Sequence, residues 1–201
     1  MNEETRQSCQ VLIIGAGPGG YLAAIRLAQL KKDVILLEKE DTLGGVCLNE
    51  GCIPSKAFIH ATDFLEQARE ASRMGVKVGS PVIDMKGLVQ WKDGIVKKLT
   101  EGVGFLIRKN GARVICGRGE FLSPEEVTVS SGGSETRIRF EQAVIATGTS
   151  PGELDGIPFD GERVIHAGHA LSLREVPRSL VIVGAGYIGL ELGTVFRKLG
   201  S

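Results

Sequence analysis

The fold is decided by residues 11–20, which read Val-Leu-Ile-Ile-Gly-Ala-Gly-Pro-Gly-Gly. The four apolar residues predict a short buried strand, and a helical pattern over 21–30 follows the glycines directly. In a strand-turn-helix of this kind Gly15 makes the tight turn, Gly17 lets the backbone approach a pyrophosphate, and Gly20 lets helix and strand pack closely. The unpaired N–H groups at the helix N-terminus then face the phosphates. The stretch therefore predicts a nucleotide-binding unit.

A second strand strengthens this interpretation. Residues 34–37 are Val-Ile-Leu-Leu, and Glu38 ends the run 23 residues after Gly15. A lone G-x-G-x-x-G is weak evidence, but a strand before it, a helix after it and an acid closing the second strand make the combination strong. Glu38 is expected to accept a hydrogen bond from a ribose hydroxyl. The alternative is an ordinary solvated carboxylate at a strand end.

Residues 44–56, Gly-Gly-Val-Cys-Leu-Asn-Glu-Gly-Cys-Ile-Pro-Ser-Lys, follow the second strand. Cys47 and Cys52 are spaced too widely for a C-x-x-C metal knuckle, and no second Cys/His pair has ligand spacing. A reversible disulfide is favoured over two buried free thiols. Residues five apart on a regular helix have Cα atoms about 8.7 Å apart, beyond the limit of about 7 Å for a disulfide. A regular helix is therefore excluded here if the two are joined, and Gly51 and Pro54 permit the break.

The rest of the first half predicts two helices and a small sheet. Helices are expected over 57–73, closed by Gly75, and over 86–108, with a solvated face containing Lys92, Lys97 and Lys98. Between 112 and 140 the hydrophobic period shortens towards two, which predicts an antiparallel β-meander built from strands at 113–116, 127–129 and 136–140. Another buried strand is expected at 142–148, ending in small residues that suit close approach to a ligand.

The opening pattern recurs near the end of the chain. Residues 180–183 are Leu-Val-Ile-Val, a second glycine motif contains Gly184, Gly186 and Gly189, and a helix is predicted over 190–199. The acid or arginine that distinguishes NAD from NADP lies on a second strand in such units, and this chain does not reach it. We therefore expect residues 1–150 to form one domain, 151–179 a linker, and 180–201 the start of a truncated NAD(P)-binding domain.

Composition excludes several classes of partner. The 201 residues are 42% hydrophobic, and 24 basic and 24 acidic residues balance to zero formal charge, so neither nucleic acid nor a membrane surface is expected as a partner. Residues 1–10 lack the pattern of a signal peptide and no apolar run is long enough to span a bilayer, which favours a cytoplasmic protein. Thiols are reduced there, so a close cysteine pair favours a catalytic role. Cys9 and Cys116 are expected to be core thiols.

The histidines of the predicted linker, His166 and His169, could suggest a metal. Because no Cys, Asp or Glu stands at a compatible position nearby, we expect exposed loop histidines and no metal.

Taken together, these motifs resemble the flavoprotein disulfide reductases, and within that family they are most similar to the dihydrolipoamide dehydrogenases. The resemblance covers essentially the whole chain. Cys47-Leu48-Asn49 and residues 52–57 look like the lipoamide version, whereas glutathione and trypanothione reductases usually have valine after the first cysteine and lysine at the Ser55 position. Glu50 departs from the family, which usually has an apolar residue there. The residues that carry the family resemblance are 15–20, Glu38, 44–56, 117–121, 144–151 and 183–193.

The resemblance implies roles for single residues. Cys47 would be the thiol that exchanges with the dithiol substrate, and Cys52 the thiol that lies against the flavin. Lys56 would lie near the flavin ring and pair with Glu191, while Gly119 would meet the adenine end of FAD. The remaining implied cofactor residues are Gly15, Gly17, Gly20, Glu38, Lys39, Gly45, Thr147 and Gly148 for FAD, and Gly184, Gly186 and Gly189 for NAD.

The resemblance also implies a fold and a function. The expected fold is α/β: a Rossmann-type FAD-binding domain with an inserted β-meander, followed by the first β-α unit of a second Rossmann domain. The expected function is FAD- and disulfide-dependent oxidation of dihydrolipoamide, free or on the lipoyl domains of 2-oxoacid dehydrogenase complexes, with electrons passed to NAD by a homodimer. Alternatives are a mercuric or other thiol reductase of the family, or a non-catalytic flavin-binding module. Because the family's catalytic histidine belongs to a later domain, we expect these 201 residues alone to be inactive.

Overall fold

The computed structural model describes residues 5–201 and divides the chain into two compact units. The first contains the residues up to Asn49 together with Lys98–Thr149, and the second contains Glu50–Lys97 and Ser150–Ser201. The predicted functional division into 1–150, 151–179 and 180–201 stays a prediction.

Strands and helices alternate at first and then separate along the chain. In the described part the strands are β1 (Thr5–Ile14), β2 (Val34–Glu38), β3 (Arg113–Cys116), β4 (Arg118–Ser123), β5 (Glu126–Ser131) and β6 (Ser134–Ile145). The helices are α1 (Pro18–Gln29), α2 (Gly45–Asn49), α3 (Cys52–Glu70), α4 (Met85–Lys109), α5 (Ala167–Ala170) and α6 (Tyr187–Leu199).

The first unit is built on one six-stranded mixed sheet of order β3-β2-β1-β6-β5-β4. The pairs β3-β2, β2-β1 and β1-β6 are parallel, while β6-β5 and β5-β4 are antiparallel. The parallel part confirms the strand-turn-helix-strand order expected from the glycine motif, because parallel strands need a crossover such as α1. The carboxyl ends of β1 and β2 therefore open at the same edge of the sheet.

Strand β2 and the second half of β1 are apolar on both faces because both faces are covered. All five residues of β2 are buried, and side chains alternate between faces along a strand. Ile13 and Leu36 pack on one face with residues of α1 and the end of α4, while Leu12 and Ile35 pack on the other face with β5 and β6. Because β1 is packed on both faces, the end of the strand from which the glycine turn starts is held in place.

The meander differs from the expectation in its strands. The run 113–116 does not join it, because β3 pairs parallel with β2, and its place is taken by β4, which the sequence pattern did not predict. Residues 142–145 are not a separate buried strand but the end of β6, and Ile145 is 67% exposed. A single strand serves both partners because β6 pairs with β1 along one edge and with β5 along the other.

The second unit is helical. The predicted helices over 57–73 and 86–108 are confirmed, and Gly75 ends the 3₁₀ turn after α3 in a left-handed conformation with φ +79°. The apolar faces of α3 and of the first turns of α4 meet α6 in one core. Its most deeply buried side chains are Phe58 of α3, Leu171 directly after α5, and Val195 and Phe196 of α6.

Two expectations in this unit are wrong. Residues 180–183 form no strand, since a strand requires a hydrogen-bonded neighbour and no described residue pairs with them; Val181 is 87% exposed. The segment 151–179, whose role as a linker stays a prediction, contains one short helix, α5. Lys92 is not solvated but buried, with its Nζ 2.6 Å from Asp93 Oδ1, because its long stem packs inward while its ammonium stays paired.

Candidate functional site

The turn after β1 leaves no room for side chains at two of its glycines. Gly15 has φ +100°, and a Cβ there would lie 2.3 Å from the Ala146 carbonyl oxygen. A Cβ on Gly20 would lie 1.7 Å from the Gly15 carbonyl oxygen. The first clash ties the turn to the end of β6, and the second lets α1 start directly against the turn.

The N-terminus of α1 is open. Gly17 is its N-cap, no side chain caps it, and Pro18 at the first position has no N–H. A Cβ on Gly45, the first residue of α2, would lie 2.6 Å from Gly17 Cα, so the two backbones run close together there. An uncapped helix N-terminus lined by glycine backbone is a surface that accepts phosphate.

Glu38 is held in place rather than solvated. It is 7% exposed, the Ala16 N–H donates to its Oε2 at 2.7 Å, and the Glu40 N–H donates to its Oε1 at 3.1 Å. The alternative of an ordinary solvated carboxylate is therefore wrong. Two backbone donors fix the carboxylate at the end of β2, beside the glycine turn.

The other residues expected at FAD are less constrained. Lys39 is exposed and its Nζ lies 3.5 Å from Glu40 Oε1. Thr147 and Gly148 follow β6 on the surface, Gly148 with φ +72°. Gly119 has a packing reason that the sequence did not reveal, since a Cβ there would lie 2.6 Å from Leu37 Cδ2.

These features of the first unit fit a dinucleotide. The open N-terminus of α1 and the glycine backbone suit a pyrophosphate, and the fixed carboxylate of Glu38 suits a ribose hydroxyl. They lie at the carboxyl ends of parallel strands, the edge at which such sheets bind ligands.

The helix breaks within the cysteine stretch, as a disulfide would require, although the structure does not join Cys47 to Cys52. Cys47 lies on α2, partly buried, and α2 ends at Asn49. Helix α3 begins at Cys52 after Gly51, which has φ −131° and ψ −109°. The Asn49 side-chain amide donates to the carbonyl oxygens of Leu43 at 3.1 Å and of Gly45 at 2.9 Å, which holds the short α2 in shape.

Cys52 is exposed at the first position of the 19-residue α3, with Lys56 one turn later. The Lys56 ammonium donates to both carboxylate oxygens of Glu191 on α6, at 2.7 and 2.8 Å, which confirms the pair expected from the family resemblance. The hydrogen bond to Glu191 raises the pKa of Lys56, and a negative charge on Cys52 or Tyr187 acts in the same direction. A thiolate at Cys52 would thus lie between a helix N-terminus and a paired lysine.

The other two cysteines are held protonated. Cys9 is buried in β1 as expected, and burial raises its pKa from 9.0 to about 11. Cys116 was expected in the core but is exposed, with its Sγ 3.7 Å from the Glu40 carbonyl oxygen. Desolvation, followed by the charge of Asp41, raises the Cys116 pKa as well. Neither is an attractive nucleophile at neutral pH.

The second glycine motif repeats the backbone of the first. Gly184 has φ +101° where Gly15 has φ +100°. Gly186 caps α6 with φ −70°, as Gly17 caps α1 with φ −67°. Helix α6 therefore begins directly after the motif at Tyr187, three residues earlier than predicted. The turn forms even though the residues before it are not in a strand.

His166 and His169 are not exposed loop residues. Both are partly buried, with ring centroids 3.7 Å apart, and the Gly168 N–H donates to His166 Nδ1 at 3.1 Å to cap α5. Histidine is not among the usual N-cap residues, so the sequence carried no signal for this. Among residues 5–201 no group of three or more His, Cys, Asp or Glu side chains is placed to hold a metal.

None of the helices described between residues 5 and 201 has the length and apolar character needed to cross a membrane.

Comparison with known proteins extends these observations. A family model described as pyridine nucleotide-disulphide oxidoreductase matches residues 9–201. Dihydrolipoyl dehydrogenase 2 of Haloarcula marismortui is 49% identical over 195 residues, which cover 96% of this chain and 41% of that protein. Dihydrolipoyl dehydrogenase of Geobacillus stearothermophilus is 46% identical over 192 residues, covering 96% and 40%.

A solved structure agrees with the fold. The crystal structure of LpdA from Mycobacterium tuberculosis is similar with a TM-score of 0.85 and 26% identity, covering 98% of this chain and 43% of that one. The chain thus spans about two fifths of the length of the relatives that it matches. The matched family model, these relatives and the two glycine turns lead to one conclusion: the chain belongs to the pyridine nucleotide-disulphide oxidoreductase family.

Proposed function

We propose that these residues are the N-terminal part of a dihydrolipoyl dehydrogenase, which oxidises dihydrolipoamide through a Cys47–Cys52 disulfide and FAD and passes the electrons to NAD. One observation carries the proposal most directly: an exposed cysteine opens α3 one turn before a lysine that is paired with Glu191. The curated relatives at 46–49% identity are dihydrolipoyl dehydrogenases, which favours this substrate over other disulfides.

The electrostatics support a redox role for Cys52. A helix N-terminus carries partial positive charge, and Lys56, paired with Glu191, lies one turn along the same helix, so the Cys52 sulfur has positive charge on both sides. Burial and nearby carboxylates keep Cys9 and Cys116 protonated. The reactive thiols are therefore Cys47 and Cys52.

The proposed exchange balances in bonds and electrons. A thiolate of dihydrolipoamide attacks the Cys47 sulfur, so a substrate–Cys47 bond forms, the Cys47–Cys52 bond breaks, and Cys52 leaves as a thiolate beside Lys56. The second substrate thiolate then attacks the substrate sulfur of this mixed disulfide and releases Cys47 as a thiolate. The substrate leaves as a cyclic disulfide, having lost two electrons to the cysteine pair and two protons to solvent or a base.

The cofactor roles follow from the fit of the first unit to a dinucleotide. FAD, when bound, would supply the chemistry that takes the electron pair from the thiols and hands it to NAD. Gly15, Gly17, Gly20 and Gly45 would hold the pyrophosphate, and Glu38 would accept from the ribose. Gly119, Lys39, Thr147 and Gly148 would line the same cofactor, and Gly184, Gly186 and Gly189 would begin the NAD site.

A lipoyl domain as the natural carrier of the substrate and a homodimer are further parts of this proposal, and both rest on the family resemblance. A cytoplasmic location, expected from the sequence composition, completes it.

The test is NADH formation from dihydrolipoamide and NAD by the full-length purified protein, followed by absorbance. Wild type and Cys116→Ser are expected to be active, whereas Cys47→Ser and Cys52→Ser should each lose at least about 10³-fold in rate because the exchange needs both sulfurs. Faster reduction of mercuric ion than oxidation of dihydrolipoamide would contradict the proposed substrate. Full activity in the Cys52→Ser variant would contradict the mechanism.

A further inference from the structure

Helices α3 and α6 of the second unit are joined by two ion pairs of opposite polarity. Lys56 of α3 faces Glu191 of α6 at 2.7 Å, and the Asp63 carboxylate of α3 accepts from the Lys198 ammonium of α6 at 2.5 Å. On each helix the two partners are seven residues apart, about two turns. The helices therefore run parallel, and the pairs repeat along one side of their contact.

The apolar part of the contact has the same repeat. Phe58 and Leu65 of α3 are seven residues apart, as are Leu192 and Leu199 of α6, and all four belong to one buried core. Such a repeat resembles a coiled-coil seam, in which flanking charges rather than apolar residues choose the register. By itself this seam also tolerates a shift of one repeat.

The alternating polarity disfavours that shift. Sliding α6 by seven residues would set Lys56 against Lys198 in one direction, or Asp63 against Glu191 in the other. Like charges facing each other penalise the wrong register while the native pairs stabilise the correct one. The Arg69 guanidinium also donates to the Lys198 carbonyl oxygen at 2.7 Å, which fixes the C-terminal end of α6.

The Asp63–Lys198 pair is suited to this role by its burial. The Lys198 side chain is 25% exposed, against 58% for Lys56, although Asp63 is 47% exposed against 32% for Glu191. Solvent therefore screens the Lys198 ammonium less than the Lys56 ammonium. The pair also lies about three turns along α3 from Cys52, outside the thiol site.

We propose that Asp63 and Lys198 are positioning residues whose ion pair locks the register of α3 against α6, and so keeps Glu191 opposite Lys56 beside Cys52. The geometric part stands on its own, while its relevance to catalysis rests on the proposed function.

Loss of the Asp63–Lys198 ion pair should change the environment of Lys56. The hydrogen bond from Glu191 is the largest cause of the raised pKa of Lys56. If α6 slips, this bond weakens, the pKa of Lys56 falls towards its ordinary value of 10.5, and its charge is freed to act on the Cys52 sulfur instead.

The experiment compares variants of the full-length protein by two readouts that need no substrate. One is the pKa of Lys56, from an NMR titration of its side chain, and the other is the rate of Cys52 alkylation by iodoacetamide at neutral pH, mapped by mass spectrometry. Asp63→Asn is expected to lower the Lys56 pKa. It should also speed Cys52 alkylation roughly two- to fivefold, a factor that corresponds to the free energy contributed by an exposed ion pair. Lys198→Met should do the same.

Control variants distinguish the effect of the Asp63–Lys198 ion pair from the effect of removing any surface charge. Glu191→Gln removes the acceptor of Lys56 directly and should shift both readouts. Glu70→Gln removes an exposed pair, with Arg73 at 2.8 Å, that joins no second helix, and should change neither. Asp63→Glu keeps the charge and should restore wild-type values.

The proposal is overturned if Asp63→Asn and Lys198→Met both match wild type while Glu191→Gln shifts the readouts, or if Asp63→Glu behaves like Asp63→Asn. A protein that fails to oxidise dihydrolipoamide but shows the expected Lys56 shifts would contradict only the proposed function.

Discussion

Two adjacent glycines in the first turn of α1 should respond oppositely to the same substitution. A Cβ on Gly20 would lie 1.7 Å from the Gly15 carbonyl oxygen, whereas a Cβ on Gly19 would meet the Ala146 Cβ at 3.8 Å, an ordinary contact. Both positions are helical. Gly19→Ala is therefore a matched control for Gly20→Ala.

The size of each effect follows from these distances. Alanine is favoured over glycine in a helix by about 0.5–1 kcal/mol, so Gly19→Ala should stabilise the protein by that amount. Gly20→Ala has the same gain but must push a backbone carbonyl more than an ångström away, since the gap is 1.7 Å. Overpacking of this kind costs about 3 kcal/mol or more. We expect a net loss of about 2 kcal/mol, or about 3 kcal/mol between the two variants.

The free energies of unfolding are measured by urea denaturation, followed by far-ultraviolet circular dichroism. The same preparations are checked for bound FAD by absorbance, and Gly20→Ala should retain less because the glycine turn and the N-terminus of α1 are displaced together. Equal stability of the two variants would refute the reasoning, since it would mean that α1 does not pack against the turn as described.

Three further predictions concern Glu38 and the outlying thiols. Glu38→Gln leaves one of the two backbone donors without an acceptor and should lower the free energy of unfolding by about 1–3 kcal/mol in urea denaturation; an unchanged value would contradict the buried geometry. Because burial raises the Cys9 pKa from 9.0 to about 11, the unfolded chain loses that proton first as the pH rises. The contribution of Cys9 is thus complete below pH 9 and is lost between pH 9 and 11, by up to about 3 kcal/mol. Cys9→Ala should flatten the fall in stability over this range, and an identical slope would count against the prediction. At pH 7.5 (roughly one pH unit below an ordinary thiol pKa) Cys116, although exposed, should react with N-ethylmaleimide more slowly than Cys52 in mass-spectrometric mapping, because desolvation and Asp41 raise its pKa; faster labelling of Cys116 would contradict this.

Local patterns predicted the elements that depend on neighbours in sequence. The glycine spacing predicted the turn and start of α1, and hydrophobic periodicity predicted α3 and α4. The break between α2 and α3 was predicted for the case of a Cys47–Cys52 disulfide, and it forms without that bond because Gly51 permits it. In each case the deciding forces act within one or two turns of chain.

The errors occurred where a distant partner decides. Whether 113–116 joins the meander or the parallel sheet depends on β2, more than 70 residues earlier. Residues 180–183 have the composition of a strand, but pairing requires a neighbour as well as propensity. Lys92 was expected in solvent but is buried, and Cys116 was expected in the core but is exposed. The residues that pack around them come from other segments, so their own segments do not encode their burial.

The sequence by itself determined the family and the backbone of both glycine turns, because sterics at glycine are local; Gly184 adopts the φ of Gly15 without a strand before it. Only the tertiary structure decided that Glu38 is a buried carboxylate held by the Ala16 and Glu40 N–H groups. Only the tertiary structure likewise paired Asp63 with Lys198, 135 residues later. Ion pairs and buried hydrogen bonds act over a few ångströms, and folding alone brings such distant residues within that range.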